Sequence, residues 1–455
     1  MKQLLPILLL PVFIFIPLLQ GMSSSKKKTD TRVKKPVIQI EEEPNLEIHE
    51  GYVSQKEETV LVKRGRKTIA KIHLSEPVMV AMAEQEERWG YFQFPSIGRT
   101  EEGFLVVEWQ MQEDSYMSYG RNSERKYTPM MSKDNGKTWI PLDKSYNIYR
   151  RGNNVYLKNG GFLQVKSQQA KAIKDYKQFP KEEFNDGEYK YYLLDSLPND
   201  LQGIYINYVD KNNRAKIIHS KLYDPGALRY SIDEQMPIVW WGNIKQLADS
   251  SLVAGVYPSL YKSEQGTLVK GGISFYTSND SGESWSITGK IPYIPDNLAK
   301  QRGNGSYDEP AFEILPDSSF ICIMRSGATS PLYRSYSKDK GITWSTPRPF
   351  TPNGVEPQLL QLASGVLVLS SGRPGVQLLF NFDKKGILWT ASIDMIPFMN
   401  ADGTYSRDVS CGYTSMIEDG IDSFMLVYSD FTKIDSKGRS RKSILCRKIT
   451  VNTLK

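Results

Sequence analysis

One eight-residue pattern recurs along this chain and restricts what it can fold into. Ser132-Lys133-Asp134-Asn135-Gly136-Lys137-Thr138-Trp139, Ser278-Asn279-Asp280-Ser281-Gly282-Glu283-Ser284-Trp285 and Ser337-Lys338-Asp339-Lys340-Gly341-Ile342-Thr343-Trp344 all read S-x-D-x-G-x-[ST]-W. Asn381-Phe382-Asp383-Lys384-Lys385-Gly386-Ile387-Leu388-Trp389 is a degenerate fourth copy with one extra residue. The chemistry is that of a hairpin turn. The Asp accepts hydrogen bonds from nearby backbone N–H groups, and the Gly permits positive φ. The Trp then folds over the hairpin and packs between neighbouring units. Strand-like runs precede the copies at Gly272–Thr277, Leu332–Tyr336 and Val376–Phe380.

The copies start 146, 59 and 44 residues apart. That irregular spacing fits repeats that carry unequal insertions, some lacking a box. Four short strands repeated radially make a β-propeller, so the expectation is an all-β chain. The box offers too few oxygen ligands for a calcium loop. Helical periodicity is scarce, and Ser167–Phe179, with Pro180 as a stop, is the one short helix expected.

Composition narrows the function. Three cysteines, Cys322, Cys411 and Cys446, exclude a disulfide framework and a four-Cys zinc site. His49, His73 and His219 have no metal-ligand spacing, which argues against histidine-centred catalysis; no metal or organic cofactor is expected. Seven basic residues and one acidic residue within 1–35 account for +6 of the net charge of +7. The rest is nearly neutral, so a nucleic-acid footprint is not supported.

Lys2, an apolar run Leu4–Leu19 broken by Pro6, Pro11 and Pro17, and Gly21-Met22-Ser23 have the layout of a secretory signal over 1–22. Residues 23–44 read as a linker and 45–455 as the folded domain. The expectation is an exported protein, periplasmic, cell-surface or secreted, with no stable membrane insertion once the signal is removed.

The boxes resemble those of the sialidase (neuraminidase) superfamily, including the bacterial exo-sialidases, whose members are six-bladed propellers. The resemblance runs over most of 80–450 and implies site residues. Asp308-Glu309-Pro310-Ala311-Phe312-Glu313-Ile314-Leu315-Pro316-Asp317, followed by Ile323-Met324-Arg325, is similar to the stretch bearing the base and a carboxylate-binding arginine. Glu309 would then deprotonate a tyrosine, and Arg325 would hold a substrate carboxylate; Glu313 is the alternative to Glu309. Ser371-Gly372-Arg373-Pro374-Gly375 resembles the segment of the third arginine, Arg373. Cys411-Gly412-Tyr413-Thr414-Ser415 resembles the strand start that carries the nucleophile, Tyr413, with Tyr405 as runner-up. A neutral phenol avoids the repulsion that an anionic nucleophile would meet at a carboxylate-bearing carbon, and sialidases are the tyrosine exception among glycosidases.

The pattern breaks at the first arginine. In Phe92-Gln93-Phe94-Pro95, Gln93 stands where the family has Arg, and a neutral contact to a carboxylate is weaker. The implied general acid is Asp114, with Glu113 and Glu124 as rivals. Trp240-Trp241 and Tyr257-Pro258-Ser259-Leu260-Tyr261 offer aromatic faces for a sugar, Trp241 and Tyr257 above all; burial within the fold is the competing role. The implied activity is exo-hydrolysis of a terminal acidic, sialic-acid-like sugar from a glycan or glycoconjugate. The alternatives are a glycosidase for another terminal sugar, or a non-catalytic glycan-binding propeller.

Overall fold

Each box closes on itself as the turn chemistry predicts. In the first, Ser132 Oγ donates to Asp134 Oδ1 (2.8 Å), and Gly136 N donates to Ser132 Oγ (2.7 Å). Thr138 Oγ1 donates to Asp134 Oδ2 (2.6 Å), and Thr138 N to Oδ1 (2.9 Å). These donors hold the Asp134 carboxyl down at about 2. The second and third boxes repeat the arrangement around Asp280 and Asp339. In the degenerate copy, Asn381 Oδ1 replaces the serine hydroxyl as acceptor for Gly386 N.

The computed structural model describes residues 35–41, 51–118, 125, 127–146, 148–151, 155–301, 305–327, 330–398 and 407–454. The expected signal, Tyr405 and Glu124 lie outside the described residues. Most strands fall into antiparallel groups in chain order, sheets I to VI below, of which II and III are joined by a parallel pairing of Lys221–Tyr223 with Ser284–Ser286 and V and VI lie within one larger sheet. Sheet I is Tyr91–Thr100, Leu105–Met111, Met130–Ser132 and Ile140–Pro141. Sheet II is Phe162–Val165, Ile204–Val209 and Ala215–Tyr223. Sheet III is Trp241–Gln246, Leu252–Tyr257, Gly272–Ser278 and Ser284–Pro292. Sheet IV is Asp308–Ile314, Phe320–Arg325, Tyr333–Ser337 and Arg348–Pro349. Sheet V is Val355–Gln361, Leu367–Gly372 and Val376–Asn381, continued by Trp389–Thr390 and Ile393–Ile396. Sheet VI is Thr414–Glu418, Ser423–Ile434 and Ser440–Thr453. Its next strand, Lys67–Leu74, comes from the other end of the chain.

Apolar clusters join neighbouring sheets. Leu163 and Ile206 of sheet II meet Ala254 and Trp285 of III. Phe275 of III meets Phe312 of IV, Ile323 of IV meets Leu369 of V, and Phe380 of V meets Leu426 of VI. Val427 of VI meets Ile97 of I. The box glycines sit in these seams. Gly136 has φ +86°, and a Cβ there would lie 2.6 Å from Met425 Cε of sheet VI. Arg447, buried in sheet VI, donates to the Ser54 and Ser75 carbonyls at 2.6 Å each and so ties down the earlier segment.

Two expectations are corrected. Ser167–Phe179 is not a helix. Gln168–Ala172 is a strand paired with Gln235–Ile238, and only Ile173–Asp175 turns as a short 3₁₀ segment. Pairing in a separate five-stranded sheet overrides the weak local preference. The one α-helix among the described residues is Asn297–Gln301. Within the expected linker, Val37–Glu41 is a strand paired with Leu61–Lys63; its β-branched Val-Ile-Gln-Ile run buries Ile38.

Trp285 is fully buried between sheets II and III. Trp285→Ala should lower unfolding free energy by about 3–5 kcal/mol. The check is a fall in the denaturant midpoint with an unchanged slope; a loss below about 1 kcal/mol would mean that the box tryptophans do not hold the sheets together.

Candidate active site

The first strands of three of the sheets are interrupted by prolines. Phe94-Pro95, Glu309-Pro310 and Glu356-Pro357 each lie inside the first strand of sheets I, IV and V. Proline has no N–H to give to the ladder, so pairing breaks there. The register shifts between Gln93 and Ser96, between Asp308 and Ala311, and between Val355 and Gln358. The residue ahead of each proline is left-handed: Phe94 at φ 52°, Glu309 at 46° and Glu356 at 42°. Such a backbone costs about 1–3 kcal/mol per residue and marks functional positions when the surroundings enforce it. Bulges re-aim side chains, and all three of these line one cavity of ≈ 480 Å³.

Sheets I, III, IV, V and VI contribute to that cavity. Gln110 and the following loop residue Asp114 come from sheet I, Asn243 and Tyr257 from III, Gln358 from V, and Tyr413 precedes the first strand of VI. At its base the Tyr413 hydroxyl donates to Glu309 Oε1. Arg325 Nη1 donates to the same oxygen at 2.6 Å and lies 3.5 Å from the Tyr413 oxygen. Glu309 Oε2 accepts from the Glu356 backbone N at 2.8 Å. The Glu309 carboxylate is thus held by three donors from three sheets.

The electrostatics follow from enclosure. Burial, then the Glu309 and Glu356 carboxyls, push the Tyr413 phenol well above its ordinary value. It therefore rests as a neutral donor, and only a proton acceptor in contact can make it nucleophilic. Burial, then Glu309, push the Glu356 carboxyl up to about 8, with Arg325 and Gln358 opposing. Burial opposes the Arg325 charge, but Glu309 and Tyr413 outweigh it and raise its value. The Tyr413 ring is fixed on two sides. Phe94 meets it edge-on at 4.7 Å, and the Arg373 guanidinium lies 5.6 Å from its centre. Gly412, at φ +79°, permits this approach, since a Cβ there would come 2.5 Å from Arg373 N.

Glu309, Arg325 and Tyr413 come together as one hydrogen-bonded cluster. Tyr257 and Asp114 line the same cavity, Asp114 exposed, with Oδ2 accepting from Trp89 Nε1 at 2.8 Å. Arg373 sits behind the phenol and donates to the Cys411 carbonyl at 3.0 Å. Gln93 does not reach the cavity. It is fully buried, and its Oε1 accepts from Gly90 N at 2.8 Å, because the bulges point Phe94 inward in its place. Glu313 is paired with Lys245 at 2.7 Å, away from Tyr413. Trp240 packs on Trp285 in the core; of Trp241 only the backbone, opposite Tyr257, is described. Among the described residues, no cluster of three or more His, Cys, Asp or Glu is placed to hold a metal ion. Sequence reasoning missed Glu356, although Val355-Glu356-Pro357 repeats the Glu-Pro of Asp308-Glu309-Pro310 at the start of the next sheet.

Neither a protein-family model nor a curated protein matches this chain. Among solved structures, a protein of unknown function from Dyadobacter fermentans superimposes with a TM-score of 0.54 at 16% identity, over 84% of this chain and 99% of that one. A Penicillium chrysogenum alpha-L-arabinanase complexed with arabinobiose gives a TM-score of 0.44 at 14% identity, over 82% and 98%. The Hadza microbial sialidase Hz136 gives 0.43 at 15%, over 84% and 69%. The first of these is a likeness of fold.

Glu356 also sets a pH dependence. A carboxyl whose folded value is raised keeps a proton that the unfolded chain releases, so stability falls as pH climbs from the ordinary carboxylate range towards about 8. Glu356→Gln removes that slope. Chemical denaturation should show the variant gaining on wild type by on the order of 1 kcal/mol per pH unit between pH ~5 and pH ~8. Parallel stability curves would place the Glu356 side chain in water instead.

Proposed function

We propose that this protein is an exo-acting glycoside hydrolase of the sialidase-like kind, built on a six-bladed propeller and exported. The observation that carries the proposal is the Tyr413 phenol donating to the Glu309 carboxylate within a sugar-sized cavity that also holds the Asp114 and Glu356 carboxyls. The antiparallel strand groups I to VI, in chain order, support the architecture. So do the seam between sheets VI and I and the completion of sheet VI by Lys67–Leu74. The charged leader supports export.

In this mechanism Tyr413 attacks the anomeric carbon as its proton passes to Glu309, and a covalent glycosyl-tyrosine forms. Arg325 fixes the Glu309 oxygen that takes the proton and holds it against the phenol. A carboxyl lining the cavity protonates the departing oxygen. Water then attacks the glycosyl-tyrosine, giving its proton to that same carboxylate, and Glu309 returns the proton to the phenolate. Tyr257, Asn243 and Gln358 provide the ring face and polar groups that recognise a sugar.

The sequence resemblance favours an acidic terminal sugar held by Arg325 and Arg373. A specific observation favours a second reading, an uncharged terminal sugar: Arg373 donates to Cys411 O, Gln93 is buried elsewhere, and Glu356 adds a carboxyl beside Glu309. Both readings predict turnover of a 4-methylumbelliferyl glycoside. They diverge on whether the sialoside or a neutral pentoside or hexoside is cleaved. Tyr413→Phe should cut kcat/KM on the accepted glycoside by about two orders of magnitude or more. Undiminished turnover removes the phenol from the chemistry, and a folded wild type inert to the whole panel is a binding protein instead.

A further inference from the structure

Resting on the glycosidase reading above, we infer that Glu356, and not Asp114, is the catalytic residue that protonates the leaving group and then activates the hydrolytic water. Three features of its placement carry this. Glu356 lines the cavity, turned inward by the left-handed bulge before Pro357. Its own backbone N donates to Glu309 Oε2, so the two glutamates are fixed in direct contact. Its Oε1 accepts from Gln358 Nε2 at 2.9 Å, which leaves Oε2 to carry a proton. Asp114, by contrast, is exposed and commits Oδ2 to Trp89.

Two carboxyl groups that line one cavity and act on each other electrostatically divide the acid and base roles between them, because both cannot be charged there at little cost. Glu309, with Arg325 and the Tyr413 hydroxyl on Oε1 and a backbone N–H on Oε2, is the one stabilised as the anion. Glu356 is the one held neutral, its value raised by burial and by Glu309. The groups that face it are Glu309, Arg325, Gln358, Tyr413 and Tyr257.

The arrangement links the two proton transfers. As Tyr413 O bonds to the anomeric carbon, its proton neutralises Glu309. The negative charge that keeps Glu356 protonated disappears at that moment, and Glu356 becomes a stronger acid as the glycosidic C–O bond breaks. Its proton goes to the departing alkoxide oxygen, leaving an alcohol, a glycosyl-tyrosine, neutral Glu309 and anionic Glu356. In the second half, Glu356 takes a proton from the attacking water. The new C–O bond expels the phenolate, Glu309 reprotonates it, and both glutamates return to their starting states.

Leaving-group dependence tests the assignment. Using the sugar that the panel identifies, Glu356→Gln, Asp114→Asn and wild type are compared on a methyl glycoside and a 2,4-dinitrophenyl glycoside, whose aglycone departs without protonation. Glu356→Gln should lose roughly 10²–10⁴-fold on the methyl glycoside. Its loss in the pre-steady-state release of dinitrophenolate should be much smaller, and the alkaline limb of the kcat/KM profile should vanish. Sodium azide should restore dinitrophenyl glycoside turnover in Glu356→Ala, since azide needs no base to attack the glycosyl-tyrosine. If glutamine disrupts the site, Glu356→Asp supplies the same test by retracting the acid: sensitivity to the leaving group must rise. The inference is overturned if Asp114→Asn shows these signatures and Glu356→Gln does not, which leaves the glycosidase reading standing. A wild type inert to both glycosides overturns both.

Discussion

A proline that follows a cavity-facing residue is the constraint on which the site depends. At Pro310 and Pro357 the ladder lacks an N–H, and the strand bulges instead of continuing. Side chains alternate strictly along an unbroken strand, so a carboxyl at either position would be confined to one face of its sheet. The bulges release Glu309 and Glu356 from that alternation and turn them into the same cavity. The strain is offset by what the inward carboxylate gains: Glu309 collects a guanidinium, a phenol and a backbone amide. One bulge feeds the other, since the amide that Glu309 accepts belongs to Glu356.

That cluster is electrostatically self-consistent. A lone buried carboxylate is costly, but one with three donors, one of them charged, is not. A second carboxyl beside it cannot share that arrangement and takes the neutral form. Phe94 and Arg373 restrict the phenol ring without touching its oxygen, so Tyr413 keeps its hydroxyl aimed at Glu309. In the scaffold the box Ser and Asp side chains close each turn on itself, and the box glycines sit in the seams.

Much of this was legible in the sequence because its determinants are local. The S-x-D-x-G-x-[ST]-W turns hold the chemistry that their residues imply. Glu309, Arg325 and Tyr413, chosen by resemblance, meet in one hydrogen-bonded cluster. What escaped depends on partners far away in the chain. Gln168–Ala172 is a strand only because Gln235–Ile238 lies beside it, and Val37–Glu41 only because sheets await it. Gln93 was aligned by motif, yet a bulge one residue later gives its place to Phe94. Glu356 had a visible signal in the repeated Glu-Pro, but its meaning required knowing that both dipeptides sit in first strands of adjacent sheets.

Sheet VI has one further implication, for how the molecule is made. Its strand Ser440–Thr453 pairs on one side with Ser423–Ile434 and on the other with Lys67–Leu74, and Arg447 reaches the carbonyls of Ser54 and Ser75. Lys67–Leu74 leaves the ribosome hundreds of residues before its partner exists. Until then it is an early hairpin with a bare edge, the kind of template on which chains of one polysome pair wrongly. Synthesis thus places an aggregation hazard at the front of the chain and its remedy at the back. A translocating chain kept unfolded until both segments have crossed would escape that hazard.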